Sequence, residues 1–180
     1  MSVCKYIGEE SIMISPDRVK IEAEKKEDEN IRFRTYLKTY ADSRKLDRQF
    51  SKLHEELFEG YDCSSCRNCC KAYHSEIEEY EITEASEYLH MNEEEFKEKF
   101  LKMNNDGTYI SKNMPCDFLQ DDGECMLGEC RPLTCRNYPY TNQPDRLFSL
   151  FGMLDSITVC PVAYEIWERL KDIYGFKRKK

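Results

Sequence analysis

Apolar residues recur at helical spacing through the first third of the chain. Ile31, Phe33, Tyr36, Leu37, Tyr40, Leu46, Phe50, Leu53, Leu57 and Phe58 stand mostly three or four positions apart, with acidic and basic residues between them. Such a stripe predicts amphipathic helices with one face on a core. A break near Ala41-Asp42-Ser43 divides the stretch into two helices, and Gly60 closes the second as a C-terminal cap. Upstream, Ser15-Pro16-Asp17 supplies an N-cap, a first-position proline and a first-turn acid, so a charged, half-exposed helix is expected from Val19 to Asn30. Residues 3 to 14 mix Val3, Tyr6, Ile7, Ile12 and Ile14 with polar positions, which suits an extended segment or short strand.

Beyond residue 75 the pattern is shorter and more interrupted. Ile82, Ala85, Tyr88 and Leu89 predict a helix over Glu79 to Leu89, and Asn92 caps another, with Glu95 reaching back and Phe96 and Phe100 facing inward. Asn104-Asn105-Asp106-Gly107 is a turn signal before a short strand at Thr108-Tyr109-Ile110. Asp121-Asp122-Gly123 is the turn of a hairpin with Cys116 near one open end and Cys125 near the other. Pro132, Pro139 and Pro144 predict an irregular loop. Leu147 to Leu154 reads as a short apolar helix capped by Asp145. The last helix begins at Cys160-Pro161, buries Val162, Ile166, Leu170 and Ile173 with Trp167 flanking, and ends at Gly175. The expected fold is mainly α with a small β-hairpin, a single helix-rich domain around a cysteine-ligated metal centre. Residues 1–60 would form an N-terminal helical segment packed on the core and 61–180 the cysteine-cluster domain, as one folding unit.

Composition sharpens this picture. The 180 residues are enough to bury a core without relying on metal alone. A net charge of -8 removes any overall electrostatic case for nucleic acid. The basic residues from Arg32 to Lys52 read as a solvated helix face, and Lys177-Arg178-Lys179-Lys180 as a solvated end. The start lacks the apolar run of a signal peptide and no stretch could span a bilayer, so the expected location is the cytoplasm, without membrane association. In that reducing compartment ten cysteines argue for metal rather than disulfides.

The cysteines carry the chemistry. Cys63-Ser64-Ser65-Cys66-Arg67-Asn68-Cys69-Cys70 places four thiols in eight residues, and Cys116, Cys125, Cys130, Cys135 and Cys160 follow. Thiols at this spacing converge from one tight loop, as in zinc and iron-sulfur sites, and the hairpin can present two more. Cys63, Cys66 and Cys69 with a remote Cys160-Pro161 are spaced as in ferredoxins. Cys70 has three readings: a second site with Cys116, Cys125 and Cys135, a bridge between two ions, or a small buried residue. Cys160 stands at a helix N-cap, where the dipole favours a thiolate. Arg67, Arg131 and Arg136 either neutralise the thiolates or make ordinary salt bridges. His54 reads as a boundary residue; His74, just after the cysteine run, reads as a polar loop residue or a ligand.

Cys63-x-x-Cys66-x-x-Cys69-Cys70, Pro115-Cys116-Asp117-Phe118-Leu119, Cys125, and Arg131-Pro132-Leu133-Thr134-Cys135-Arg136-Asn137-Tyr138-Pro139 together closely resemble the YkgJ-like cysteine-cluster family, a zinc- or iron-chelating domain by description. The resemblance runs from about Tyr61 to Tyr164. It implies that Cys63, Cys66, Cys69, Cys70, Cys116, Cys125, Cys135 and Cys160 are the metal ligands, with Cys4 and Cys130 outside the set. Asn68 stands where relatives often have glycine, and asparagine also tolerates left-handed backbone. Some relatives are named flagellin lysine N-methylases, which keeps a protein lysine N-methyltransferase in view. The chain has no glycine-rich strand-to-helix turn and no Cys-x-x-x-Cys-x-x-Cys run to support that activity. The leading expectation is a metal-binding protein holding a zinc ion or an iron-sulfur cluster in a structural or redox role. The alternatives are the N-methylase, acting on a protein substrate, and a metal storage or delivery protein with a protein partner. Whether eight thiols hold one centre or two stays open.

Overall fold

Helix formation in the first third follows local signals. Asp42 accepts a hydrogen bond from the Lys45 backbone N–H at 2.8 Å, which satisfies one of the free donors of a new helix and separates two amphipathic segments. The structure, a computed structural model, describes residues 13–176. Cys4, the basic tail and all but the last two positions of the expected 3–14 strand lie outside the described residues. In chain order the elements are α1 (Val19–Glu24), α2 (Glu27–Tyr40), α3 (Ser43–Phe58), α4 (Asn68–Ala72), β1 (Glu76–Ile77), α5 (Glu79–Tyr88), α6 (Glu93–Phe100), β2 (Leu101–Met103), β3 (Tyr109–Ser111), α7 (Leu133–Asn137), α8 (Leu150–Ser156) and α9 (Pro161–Ile173). Short 3-10 turns cover Cys63–Ser65 and Gly128–Cys130. The fold is helix-rich with a small antiparallel sheet in the order β1-β3-β2. Among the described residues no helix is long and apolar enough to cross a membrane.

Two cores result. The larger is shared by α1, α2, α3, α8 and α9 and contains Phe33, Leu37, Leu46, Phe50, Ile166, Trp167 and Leu170. The Trp167 ring meets Phe33 edge-on with centroids 4.9 Å apart, and its Nε1 donates to Asn30 Oδ1 at 3.1 Å. Asn30 in turn donates to the Ala23 carbonyl and accepts from Lys171 Nζ at 2.7 Å. Lys171 also donates to Glu29 at 2.7 Å and Glu168 at 2.6 Å. Burying an indole N–H and an ammonium requires such partners, because an unpaired polar group in a core forfeits its hydration without return. The smaller core holds Ile77, Ile82, Phe96, Phe100, Phe118 and Leu127, packed by short elements beside the cysteines.

Several boundaries depart from the periodicity. Ser15-Pro16-Asp17 forms a turn; Arg18 occupies the N-cap of α1, and the expected single helix breaks at Lys25-Lys26. Asn92 caps α6 as expected, but the reciprocal capping box lies at Glu78 and Glu81, at the start of α5. The apolar Leu147–Leu154 run enters its helix only at Leu150, with Ser149 at the N-cap, while Asp145 adopts a positive φ and its N–H donates to Asp47. Phe148 and Phe151 are therefore outside the core, over Lys38 and Arg34. On α9 the stripe rotates: Trp167 is fully buried and Ile173 is half-exposed, since the helix faces α2 and α3 together. The 116–127 hairpin closes with one isolated bridge, Leu119 to Cys125, whereas the three-stranded sheet recruits Leu101–Met103 and Glu76–Ile77.

Candidate metal centre

The cysteine run is shaped by local hydrogen bonds. Asp62 accepts from the Ser64 N–H at 2.8 Å and the Ser64 hydroxyl at 2.6 Å, winding Cys63–Ser65 into a 3-10 turn. The chain then reverses at Arg67, whose φ of 51° is left-handed, and α4 carries Cys69 and Cys70. The left-handed residue is thus Arg67 and not Asn68. The Asn68 amide instead donates to the Pro16 and Val159 carbonyls at 2.7 and 3.1 Å, which docks α4 beside the residue preceding Cys160. From the other side the Cys116 N–H donates to the Cys70 carbonyl at 2.8 Å and brings in the hairpin. The hairpin turn sits directly on the run: a Cβ at Gly123, whose φ is +86°, would lie 2.3 Å from the Ser64 carbonyl oxygen.

The sulfurs line two adjoining spaces. Cys63, Cys66, Cys69 and Cys160 line one of about 230 Å³, with Tyr61 and His54 in its wall and Cys135 also reaching it. Cys70, Cys116, Cys125 and Cys135 line the other, of about 20 Å³, with Arg67 and Arg131. Room for about one water-sized body is what the smaller space offers. The two share Cys135, Arg67 and Arg131 in their walls, and the sulfurs of Cys69 in one and Cys70 in the other are 4.0 Å apart. Cys130 ends a separate 3-10 turn and is not in the lining of either space. Among the described residues, no three Cys, His, Asp or Glu side chains have closed into a group that would hold an ion as they stand.

Electrostatics decide which thiols are ready to ligate. The hydrogen bond from Cys69 draws the Cys70 thiol down to about 6, helped by Arg131 and Arg67, and the same bond pushes Cys69 upward. Burial raises Cys116 to about 11 and Cys160 to about 12, and also raises Cys63 and Cys125. Cys160 does sit at the N-cap of α9 with the Ala163 and Val162 N–H groups drawing its thiol down, yet burial outweighs them. The helix end favours the thiolate as its position predicts, and burial opposes it more strongly. A protein that gathers eight thiols, from exposed Cys63 through six half-buried ones to buried Cys160, near two arginines is chemically matched to a soft divalent or iron centre, whose charge offsets the partial loss of hydration.

Arg131 is the counter-ion: it is half-buried and acts on Cys135, Cys69, Cys70 and Cys125. Arg67 is committed to the hairpin through the Gly123 carbonyl and, at 3.2 Å, Glu124. Arg136 is exposed at the edge of the larger space. His54 donates to or accepts from Thr141 Oγ1 at 2.8 Å and packs on Phe58, a boundary position as expected. His74 lies away from the sulfur spaces, its Nε2 3.4 Å from Lys102 Nζ. Sequence reasoning missed Tyr61, Tyr138 and Ser75. Tyr61 faces Cys66 and Cys160, and Tyr138 faces Cys160 and Cys69; burial raises both phenols. Ser75 Oγ lies 3.0 Å from Cys135 Sγ. Only Tyr61 and Tyr138, flanking cysteine motifs in sequence, carried any hint of this.

A helical scaffold that brings two sets of thiols to adjoining spaces around a half-buried guanidinium defines a cysteine-cluster metal-binding protein. Residues 62–158 match the CxxCxxCC family, a zinc- or iron-chelating domain by its description, and the chain belongs to that family. No curated protein and no solved structure matches the chain.

Proposed function

We propose that the protein holds zinc or iron on two neighbouring thiolate sites, Cys63, Cys66, Cys69 and Cys160 at one and Cys70, Cys116, Cys125 and Cys135 at the other, in a structural or electron-transfer role. The observation that carries this reading is that seven of the eight sulfurs each line one or the other of two adjoining spaces, Cys135 reaching both, with the Cys69 and Cys70 sulfurs 4.0 Å apart between them. Arg131 beside four of the thiols supports it, because a tetrathiolate site around a divalent ion retains negative charge that a neighbouring half-buried cation offsets. The long helices of the larger core support a scaffold role for the remainder of the chain, which a metal store would not need. Residues 1–60 serve as part of that scaffold and 61–180 carry the ligands.

The test is anaerobic purification with metal analysis and a visible spectrum. Bound zinc leaves the protein colourless, whereas an iron-sulfur centre colours it and bleaches on reduction. Cys160→Ser should remove the metal of the first site alone, Cys125→Ser that of the second alone, and Cys130→Ser neither. Loss of all metal from either single variant would mean one shared centre, and equal loss in the Cys130 variant would overturn the ligand assignment.

A further inference from the structure

A third cavity, larger than either of the two spaces described above, adjoins the cysteines. It has a volume of about 560 Å³, within the range of small-molecule pockets. Cys69, Cys70, Cys116 and Cys135 contribute to one side of it. Tyr73, Tyr138 and Tyr140 form an aromatic wall: the first two rings are 5.5 Å apart, the last two 6.4 Å. Met153 and Pro139 extend the apolar lining.

Three polar groups on this lining are enclosed and lack a hydrogen bond of acceptable geometry: His74 Nδ1, Tyr138 Oη and Arg146 Nε. Tyr73 donates its own hydroxyl proton to the Asp155 carbonyl, at 3.3 Å, and its oxygen is the acceptor beside Tyr138, so Tyr138 reaches a ligand only by turning its hydroxyl away from Tyr73. Lys102 Nζ lies 3.4 Å from His74 Nε2, and a His74 that accepts from Lys102 there presents Nδ1–H as a donor. Arg146 is the most telling. It is 7% exposed and forms no ion pair with a described carboxylate; its terminal nitrogens go to the Tyr140 carbonyl and the Ser149 hydroxyl, and its plane lies over Phe50. Asp47, the nearest acid in effect, accepts instead from the backbone N–H groups of Asp145 and Arg146 at 3.1 and 2.9 Å. A buried guanidinium without a counter-ion is costly, and an incoming anion would relieve that cost. Glu76 and Asp155 also line the cavity, and both are exposed, so their charges are screened at its mouth.

We propose that this cavity is a binding site for an organic carboxylate, its anion on the Arg146 side, its flat or apolar body against Tyr73, Tyr138 and Tyr140, and Tyr138 and His74 as further donors. A carboxylate fits better than inorganic phosphate because one guanidinium matches one negative charge and the remaining wall is aromatic. A bound molecule would share its cavity with Cys70 and Cys135, beside the metal sites proposed above. The carboxylate site itself does not depend on which metal is present.

Benzoate is the probe, titrated into the full chain as purified with its metal and followed by ligand-detected saturation-transfer NMR. Inorganic phosphate and benzyltrimethylammonium are the comparison ligands. The expected result is saturable benzoate binding with a millimolar constant, weakened about tenfold by Arg146→Gln, the loss expected for one charge-assisted hydrogen bond. Arg146→Lys should retain part of the affinity. Tyr138→Phe removes only the hydroxyl and should weaken binding several-fold, so it decides the matter if Arg146→Gln fails to fold. Metal content and melting temperature, measured on the same samples, separate loss of this site from loss of a metal centre. Absence of saturable benzoate binding, equal binding to wild type and both neutral variants, or preference for phosphate or for the quaternary ammonium would overturn the proposal.

Discussion

Trp167 and Phe118 sit in two different cores, and the means of holding each core differ. Around Trp167, helices of 13 to 16 residues, α2, α3 and α9, meet over a long interface. Their interior polar groups, Asn30 and Lys171, are fully engaged with one another and with Glu29 and Glu168. Around Phe118 the supporting helices are shorter, α5 of 10 residues and α6 of 8, joined by strands of two or three residues and an isolated bridge, and the neighbouring cysteine-bearing helices α4 and α7 have five residues each. Elements this short do not stand alone, because each fixes backbone entropy for few hydrogen bonds. Apolar burial stabilises both regions, and under the two-site proposal thiolate–metal bonds would add cross-links to the cysteine region alone.

Removing metal should expose that difference most strongly. Stripping zinc or iron with a chelator should cost the cysteine region about 10 kcal/mol or more of binding free energy. Hydrogen exchange should then show amides in residues 63–135 losing protection while those of α2, α3 and α9 keep theirs. Equal loss in both regions would make the chain one cooperative unit. The converse perturbation is Trp167→Ala, which empties the centre of the larger core and should cost about 3–5 kcal/mol. Denaturant unfolding measures the loss, and metal content per folded molecule should stay unchanged.

Smaller changes refine the contrast. Asn30→Leu leaves the indole N–H of Trp167 without its acceptor and strips one partner from Lys171, so a cost of about 1–3 kcal/mol is expected in the same unfolding assay. The two side-chain helix caps make a matched pair, since Asp42 and Asn92 each accept an N3 backbone N–H at 2.8 Å. Asp42→Ala and Asn92→Ala should each cost about 1 kcal/mol. Only the second, in the cysteine region, should become more damaging after metal removal. A comparable change in both variants would mean that the two regions unfold together.

Much of the larger core was legible along the chain. The stripe from Ile31 to Phe58, the break at Asp42 and the proline after Cys160 are local signals, and each produced the helix boundary it predicts. The errors fall where tertiary packing chose among equivalent faces. Periodicity along α9 places Trp167 on the flank, because it cannot say how many neighbours the helix will meet; α2 and α3 together enclose it. Phe148 and Phe151 looked like core by hydropathy, but the chain turns at Asp145 to satisfy Asp47 and leaves them outside under two cations. In the cysteine region the motif named the candidate ligands but not their grouping, and gave no sign that Ser75 would approach Cys135.

The sequence by itself determined a helix-rich chain with cysteines spaced for metal and membership of a zinc- or iron-chelating family. These follow from short-range chemistry: caps, periodicity and the separation of thiols within a loop. Tertiary structure decided which sulfurs share a space, because Cys160 lies some 90 residues beyond Cys69 and reaches it only when Asn68 ties α4 to the Pro16 and Val159 carbonyls. It also decided that Arg131 stands among the thiols and that Arg146 is buried without a counter-ion, since burial and pairing of a charge depend on what the rest of the chain packs around it.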